Sequence, residues 1–153
     1  MDAKIALIGS GNAFFKDEGI GLYAGKYFKE NYTFEPAVDI VDGGTLVFGL
    51  MPLLQEYEVV IIANTSSDED KAVGTIDVLS GEELIENQGI KKTANEVEIT
   101  EMLHICSMAS HCAQTIVISI VPEDILSVSV DMTPPMRAQW DRYIEVIEEE
   151  LTK

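Results

Sequence analysis

Four places in the chain put a polar side chain in a turn or at the end of a predicted element, where a residue can act on something outside the core. Asp17 and Glu18 follow a glycine-bearing turn at Gly9 and Gly11, and Asp42 opens the Asp-Gly-Gly-Thr turn of residues 42–45. Asn64 ends the run Val59–Ala63, and Asn95 lies in Thr93-Ala94-Asn95-Glu96. Carboxylates such as Glu18 and Asp42 hold cations or move protons, whereas an amide offers one neutral carbonyl oxygen. Each position also has an ordinary structural use. Asp17 and Glu18 suit the positive end of a helix, Asp42 can close its own turn, and Asn64 and Asn95 can be a strand-end polar residue and a helix cap.

A second group, His104, Cys106, His111 and Cys112, invites a metal reading. It fails on geometry, because His104 and Cys106 are two apart on a predicted helix and point about 200° from each other. His111 and Cys112 fall near that helix's end, at the rim opposite the polar loops if the next strand runs parallel. Two cysteines are too few for a disulfide framework, and reduced thiols are expected.

The elements that must position these groups follow from hydrophobic periodicity. Lys4–Ile8 reads as a buried strand ending at Gly9, and Ile20, Tyr23, Ala24, Tyr27 and Phe28 mark a helix running to about Asn31. Val38–Val41 is a second strand, followed by the turn and a helical run Leu46–Leu54 interrupted by Pro52. The β-branched run Glu58–Ala63 suits a central strand covered on both faces. After a polar loop from Thr65 to Lys71 come a strand near Gly74–Leu79, a short acidic helix at Gly81–Asn87, a loop at Ile90–Ala94 and a helix from Glu96 to about Ala109. Thr115–Val121 is the last strand, and Thr133-Pro134-Pro135 opens a terminal helix with Met136, Trp140, Tyr143, Ile144, Ile147 and Leu151 on one stripe. This alternation predicts an α/β three-layer sandwich, a mostly parallel twisted sheet of about five strands with helices on both faces. No repeat or linker divides it, so residues 1–153 form one domain. In such a sheet, sites form where loops converge at the carboxyl ends of strands, which selects the loops bearing Glu18, Asp42, Asn64 and Asn95.

Composition narrows the partners. With 10 Lys and Arg against 27 Asp and Glu, the net charge of -17 repels phosphate backbones and anionic lipid, excluding nucleic acid and membrane as partners. Neither a membrane span nor a leader is legible, and a cytoplasmic location is expected. The loop Gly9-Ser10-Gly11-Asn12-Ala13-Phe14 is not a dinucleotide fingerprint, since Phe14 replaces the third glycine and Glu35 or Asp39 would be misplaced as the ribose acid. Its glycines instead let the backbone turn tightly against another segment.

Taken together and in order, Gly9-x-Gly11-Asn12, Asp17-Glu18-Gly19-Ile20-Gly21, Asp42-Gly43-Gly44-Thr45, Ile61-Ile62-Ala63, Gly74, Glu96-Val97-Glu98 and Val121-Pro122-Glu123 are informative. Over about Lys4 to Leu151 the chain resembles the hydrogenase maturation endopeptidases, which cleave a C-terminal extension from the large subunit of nickel-iron hydrogenase once nickel is inserted. The resemblance implies a hydrogenase large-subunit precursor as partner. It also implies no tightly bound cofactor, with nickel carried by the substrate as the recognition element. The family's nickel-contacting Glu, Asp and His fall on Glu18, Asn64 and Asn95, and its turn Asp on Asp42. Glu18 and Asp42 are then the principal catalytic polar groups.

Two of the three nickel positions therefore carry amides. Asn64 keeps the shape of an aspartate without its charge, and Asn95 lacks an imidazole that would ligate metal or transfer a proton near neutral pH. Two functions follow: a working processing peptidase, or a non-catalytic relative that binds a hydrogenase subunit or maturation intermediate.

Overall fold

The computed structural model describes residues 4–34, 37–44, 51–66, 71–86 and 94–152, with the backbone alone at 44, 84–86 and 94–98. Strand and helix alternate over the first half of the chain as the periodicity requires. β1 (Ile5–Ser10) leads through a 3-10 turn (Lys16–Gly19) into α1 (Ile20–Asn31), then β2 (Val38–Gly44), α2 (Met51–Glu56) and β3 (Val59–Thr65). β4 (Ile76–Ser80), α3 (Gly81–Glu86), α4 (Ala94–Ser107), β5 (Gln114–Ile120) and α5 (Pro134–Leu151) complete the order. Of the expected helix at Leu46–Leu54, residues 46–50 lie outside the described residues, as do 67–70 of the polar loop, 87 of the acidic helix and 90–93 of the following loop.

The five strands form one sheet in the order β2-β1-β3-β5-β4. β1 runs parallel to β2 and β3, and β3 parallel to β5, while β4 is antiparallel to β5 at the far edge. The run of β-branched residues does occupy the middle. From Val60 to Thr65 every residue of β3 is buried, because period-two alternation sends successive side chains into two separate cores. Ala6, Ile8, Val60, Ile62 and Val117 meet Leu54 of α2 and Ile99, Met102, Leu103 and Cys106 of α4 on one face. On the other, Leu7, Ile61, Ala63, Ile118 and Ile120 meet Ile20, Ala24 and Phe28 of α1 and Met136, Tyr143, Ile147 and Leu151 of α5. Three layers result, as the apolar stripes predict.

Glycine sets how closely α1 can approach. A Cβ on Gly21 would run into the carbonyl oxygens of Ala63 and Ser10, so only glycine lets the first turn of α1 sit on the ends of β1 and β3.

One expectation is corrected here. Cys106 and Cys112 are not separate thiols but a disulfide, with Cα atoms 5.6 Å apart. The chain leaves α4 and folds back within six residues to enter β5, which brings the two Cα atoms into bridging range. Pattern reading placed both cysteines in one helix-loop region but could not see that return.

Candidate functional site

The register gives the rim its geometry. Gly9 pairs with Asp42 on one side and Ala63 on the other, so Asp42, Gly9 and Ala63 form a row across three strands. At ~4.8 Å per strand, Asp42 lies roughly 10 Å from the start of the Asn64-Thr65 strand end. β5 enters the sheet at the amino rim, just beyond the disulfide that ties it to α4. The 14 residues of α4 span about 21 Å at 1.5 Å each. That length is enough for its first turn, with Asn95, to reach the carboxyl rim, on the face of the sheet that receives Ile99 and Met102. The side chain of Asn95 lies outside the described residues.

Glu18 sits in the 3-10 turn, half-buried, and its Oε2 accepts a hydrogen bond from Thr65 Oγ1 at 3.2 Å. Burial raises the Glu18 carboxyl above its ordinary 4.5, and the Thr65 hydroxyl partly opposes that shift. Gly11, at φ +136°, makes this placement possible: a Cβ there would collide with the Glu18 carbonyl. Asn64 is 1% exposed. Its Oδ1 accepts from Ser119 Oγ at 2.6 Å, its strand partner across β3 and β5. The Asn64 carbonyl accepts from the Tyr143 hydroxyl at 3.1 Å, which also reaches the Ile118 carbonyl at 3.2 Å. Glu18 is thus tied to Thr65, the neighbour of Asn64, while the one amide oxygen of Asn64 is engaged from inside. Asp42 is exposed at the end of β2.

Asp17 is not the solvated helix-end charge that its position suggests. It is fully buried, and its carboxylate accepts four hydrogen bonds. Thr133 N donates to Oδ1 at 2.8 Å, while Glu123 N (2.9 Å), Asp124 N (3.0 Å) and Thr133 Oγ1 (2.8 Å) donate to Oδ2. The Asp17 amide donates in return to the Asp124 carbonyl. This residue fastens the connector between β5 and α5 onto the turn that carries Glu18. The sequence showed Asp17 as a helix-end charge and as part of a motif, but not as a clamp, since its partners lie 106 to 116 residues away.

The histidines and cysteines stay apart from this rim. His104 is exposed while Cys106 is buried, as their spacing predicts. His111 Nε2 lies 3.0 Å from the Tyr57 carbonyl, just ahead of β3 at the amino rim.

A half-buried carboxylate over the carboxyl end of a mostly parallel sheet, fixed by glycines that admit α1, defines a class of protein that comparison identifies. The family model described as hydrogenase maturation protease (HycI) matches residues 22–150, and the chain belongs to that family. It is 28% identical over 141 residues to the hydrogenase expression/formation protein HupD of Bradyrhizobium diazoefficiens, covering 91% of this chain and 73% of that one. With the hydrogenase 2 maturation protease of Escherichia coli the identity is 23% over 145 residues, covering 94% and 88%. The fold matches the solved hydrogenase maturating endopeptidase HybD of E. coli with a TM-score of 0.88, at 23% identity and covering 97% and 92%. It matches the HybD protease of Thermococcus kodakarensis at 0.75, with 22% identity and coverage of 98% and 99%. Among the described residues no helix is long and apolar enough to cross a membrane.

Proposed function

We propose that this chain acts in the cytoplasm on a hydrogenase large-subunit precursor carrying nickel, and removes its C-terminal extension. The observation that carries this reading is Glu18. A half-buried carboxylate held at the carboxyl rim by Thr65 is a fitting contact for a cation presented by a docking protein. Asn64 and Asn95 would add weaker contacts to that nickel, and Asp42 would supply the second carboxylate at the rim. Nickel is here part of the substrate, and no tightly bound cofactor is required.

A second reading is favoured by one contact. The only oxygen of the Asn64 side chain accepts from Ser119 inside the sheet, which leaves this position little to offer a metal and suits a relative that binds a hydrogenase subunit or maturation intermediate without cleaving it. Incubation with nickel-loaded precursor, followed by mass measurement, separates the two. Loss of the extension supports cleavage; retention of full mass with formation of a complex supports the binding reading; neither complex nor cleavage rejects both.

A further inference from the structure

Beside the Glu18 turn a groove of about 340 Å³ opens between α1 and the edge strand β2. Ala13 and Asp42 close its upper end at the carboxyl rim, Leu22 and Ile40 give it apolar walls, and Lys26 and Lys29 stand at its lower end. Leu22, Lys26 and Lys29 are four and three residues apart, the spacing that keeps side chains on one helix face. The groove lies next to the residues assigned to chemistry: the Tyr23 hydroxyl, in its wall, donates to the Ala13 carbonyl at 3.2 Å, and the ring packs against Gly19.

Its charge is unusual for this molecule. The chain has 10 cationic residues against 27 acidic ones, so its field repels carboxylates over most of the surface. Here two lysines point into one groove. Both are exposed, and among the described residues Lys26 makes a loose pair with Glu30 at 4.0 Å, of the kind that contributes little in water. From Leu22 to Lys29 is about 10 Å along the helix at 1.5 Å per residue, the length of about three extended residues. The groove is also polarised. Asp42 disfavours a carboxylate at the rim, whereas the lysines favour one at the far end.

We propose that this groove is the docking subsite for the extension being removed: an extended segment, apolar for about its first three residues after the cleavage point and bearing an acidic side chain next, which Lys26 and Lys29 receive. The inference rests on the processing role proposed above and adds the chemistry of the segment recognised. The opposite end charges fix the direction in which the segment lies, with its acidic side chain directed away from the rim.

The test is calorimetric titration of the full chain with the nickel-loaded large-subunit precursor of the same cell, at low and high salt. The double variant Lys26→Glu/Lys29→Glu should bind roughly tenfold more weakly at low salt, two exposed pairs being worth up to about 1 kcal/mol each, with the difference shrinking at high salt. Changing the first acidic residue of the extension to its amide should weaken wild type similarly and add little to the double variant. A lysine at that place should restore binding to the double variant, which no loss of folding could mimic. Equal affinity of wild type and double variant for the precursor, or failure of the lysine swap to restore binding, overturns the subsite while leaving the processing role intact. Wild type that does not bind the precursor at all overturns both.

Discussion

Replacing Asp17 tests whether the Glu18 turn and the β5–α5 connector are one unit. Of the four donors that the Asp17 carboxylate satisfies, the amides of Glu123 and Asp124 lie in a partly exposed segment and can turn to water. Thr133 is 4% exposed, so its amide and hydroxyl would be left without a partner. A buried unsatisfied donor costs about 1–3 kcal/mol, and hydrogen bonds to a charged acceptor contribute about 1.5–3 kcal/mol each. Asp17→Ala should therefore cost roughly 4 kcal/mol, a large share of the ~5–15 kcal/mol that stabilises a domain. Asp17→Asn should cost less. With its oxygen at the Oδ2 position the amide keeps three bonds and sets one NH2 against the Thr133 amide, a conflict worth about 2 kcal/mol. At about 2–4 °C per kcal/mol for a chain of this size, the midpoints should fall by roughly 8–16 °C for alanine and 4–8 °C for asparagine. Circular dichroism melts, with urea titrations to confirm an unchanged denaturant slope, give both numbers. An alanine variant within about 0.5 kcal/mol of wild type would refute the clamp, as would asparagine proving more damaging than alanine.

Further outcomes follow from the same contacts. Burial holds the folded Glu18 pKa above its ordinary 4.5, so folding favours the protonated form. That stabilisation is complete below about pH 4.5 and is lost as pH rises through the raised value. Glu18→Gln should gain stability relative to wild type between pH 4.5 and 7 while abolishing precursor processing, and a constant difference across that range in thermal melts would contradict the shift. Asn64→Asp places a carboxylate in a 1% exposed position and should cost about 2–3 kcal/mol. Added nickel should recover part of that loss, and more so in Asn64→Asp/Asn95→His; melts indifferent to nickel in both variants would show that no cation position survives. Gly21→Ala forces a methyl against the Ala63 and Ser10 carbonyls and should cost about 3 kcal/mol, measured by urea unfolding. Tyr143→Phe removes the hydroxyl shared by the Asn64 and Ile118 carbonyls, at a cost of about 1 kcal/mol by the same assay.

Much of this protein is written locally in its sequence. The strand at Val59 reads as central because unbroken β-branching is tolerated only where both faces are covered, and the sheet order places it there. The end of α1 at Asn31 and the start of α5 at Pro134 follow from periodicity and from proline's fit to a helix's first turn. The polar strand ends were legible too, as were the spacings that carry the family resemblance. Only the tertiary structure decided what those polar residues do. Asp17 and Glu18 are adjacent and chemically alike, yet one is sealed by donors from more than a hundred residues away and the other faces the rim. Asn64 meets Ser119 through the pairing of β3 with β5, a register that no local pattern encodes. Cys106 and Cys112 meet because the chain reverses between α4 and β5. Propensity and periodicity act over a few residues, whereas burial and the satisfaction of polar groups depend on whatever the fold brings alongside.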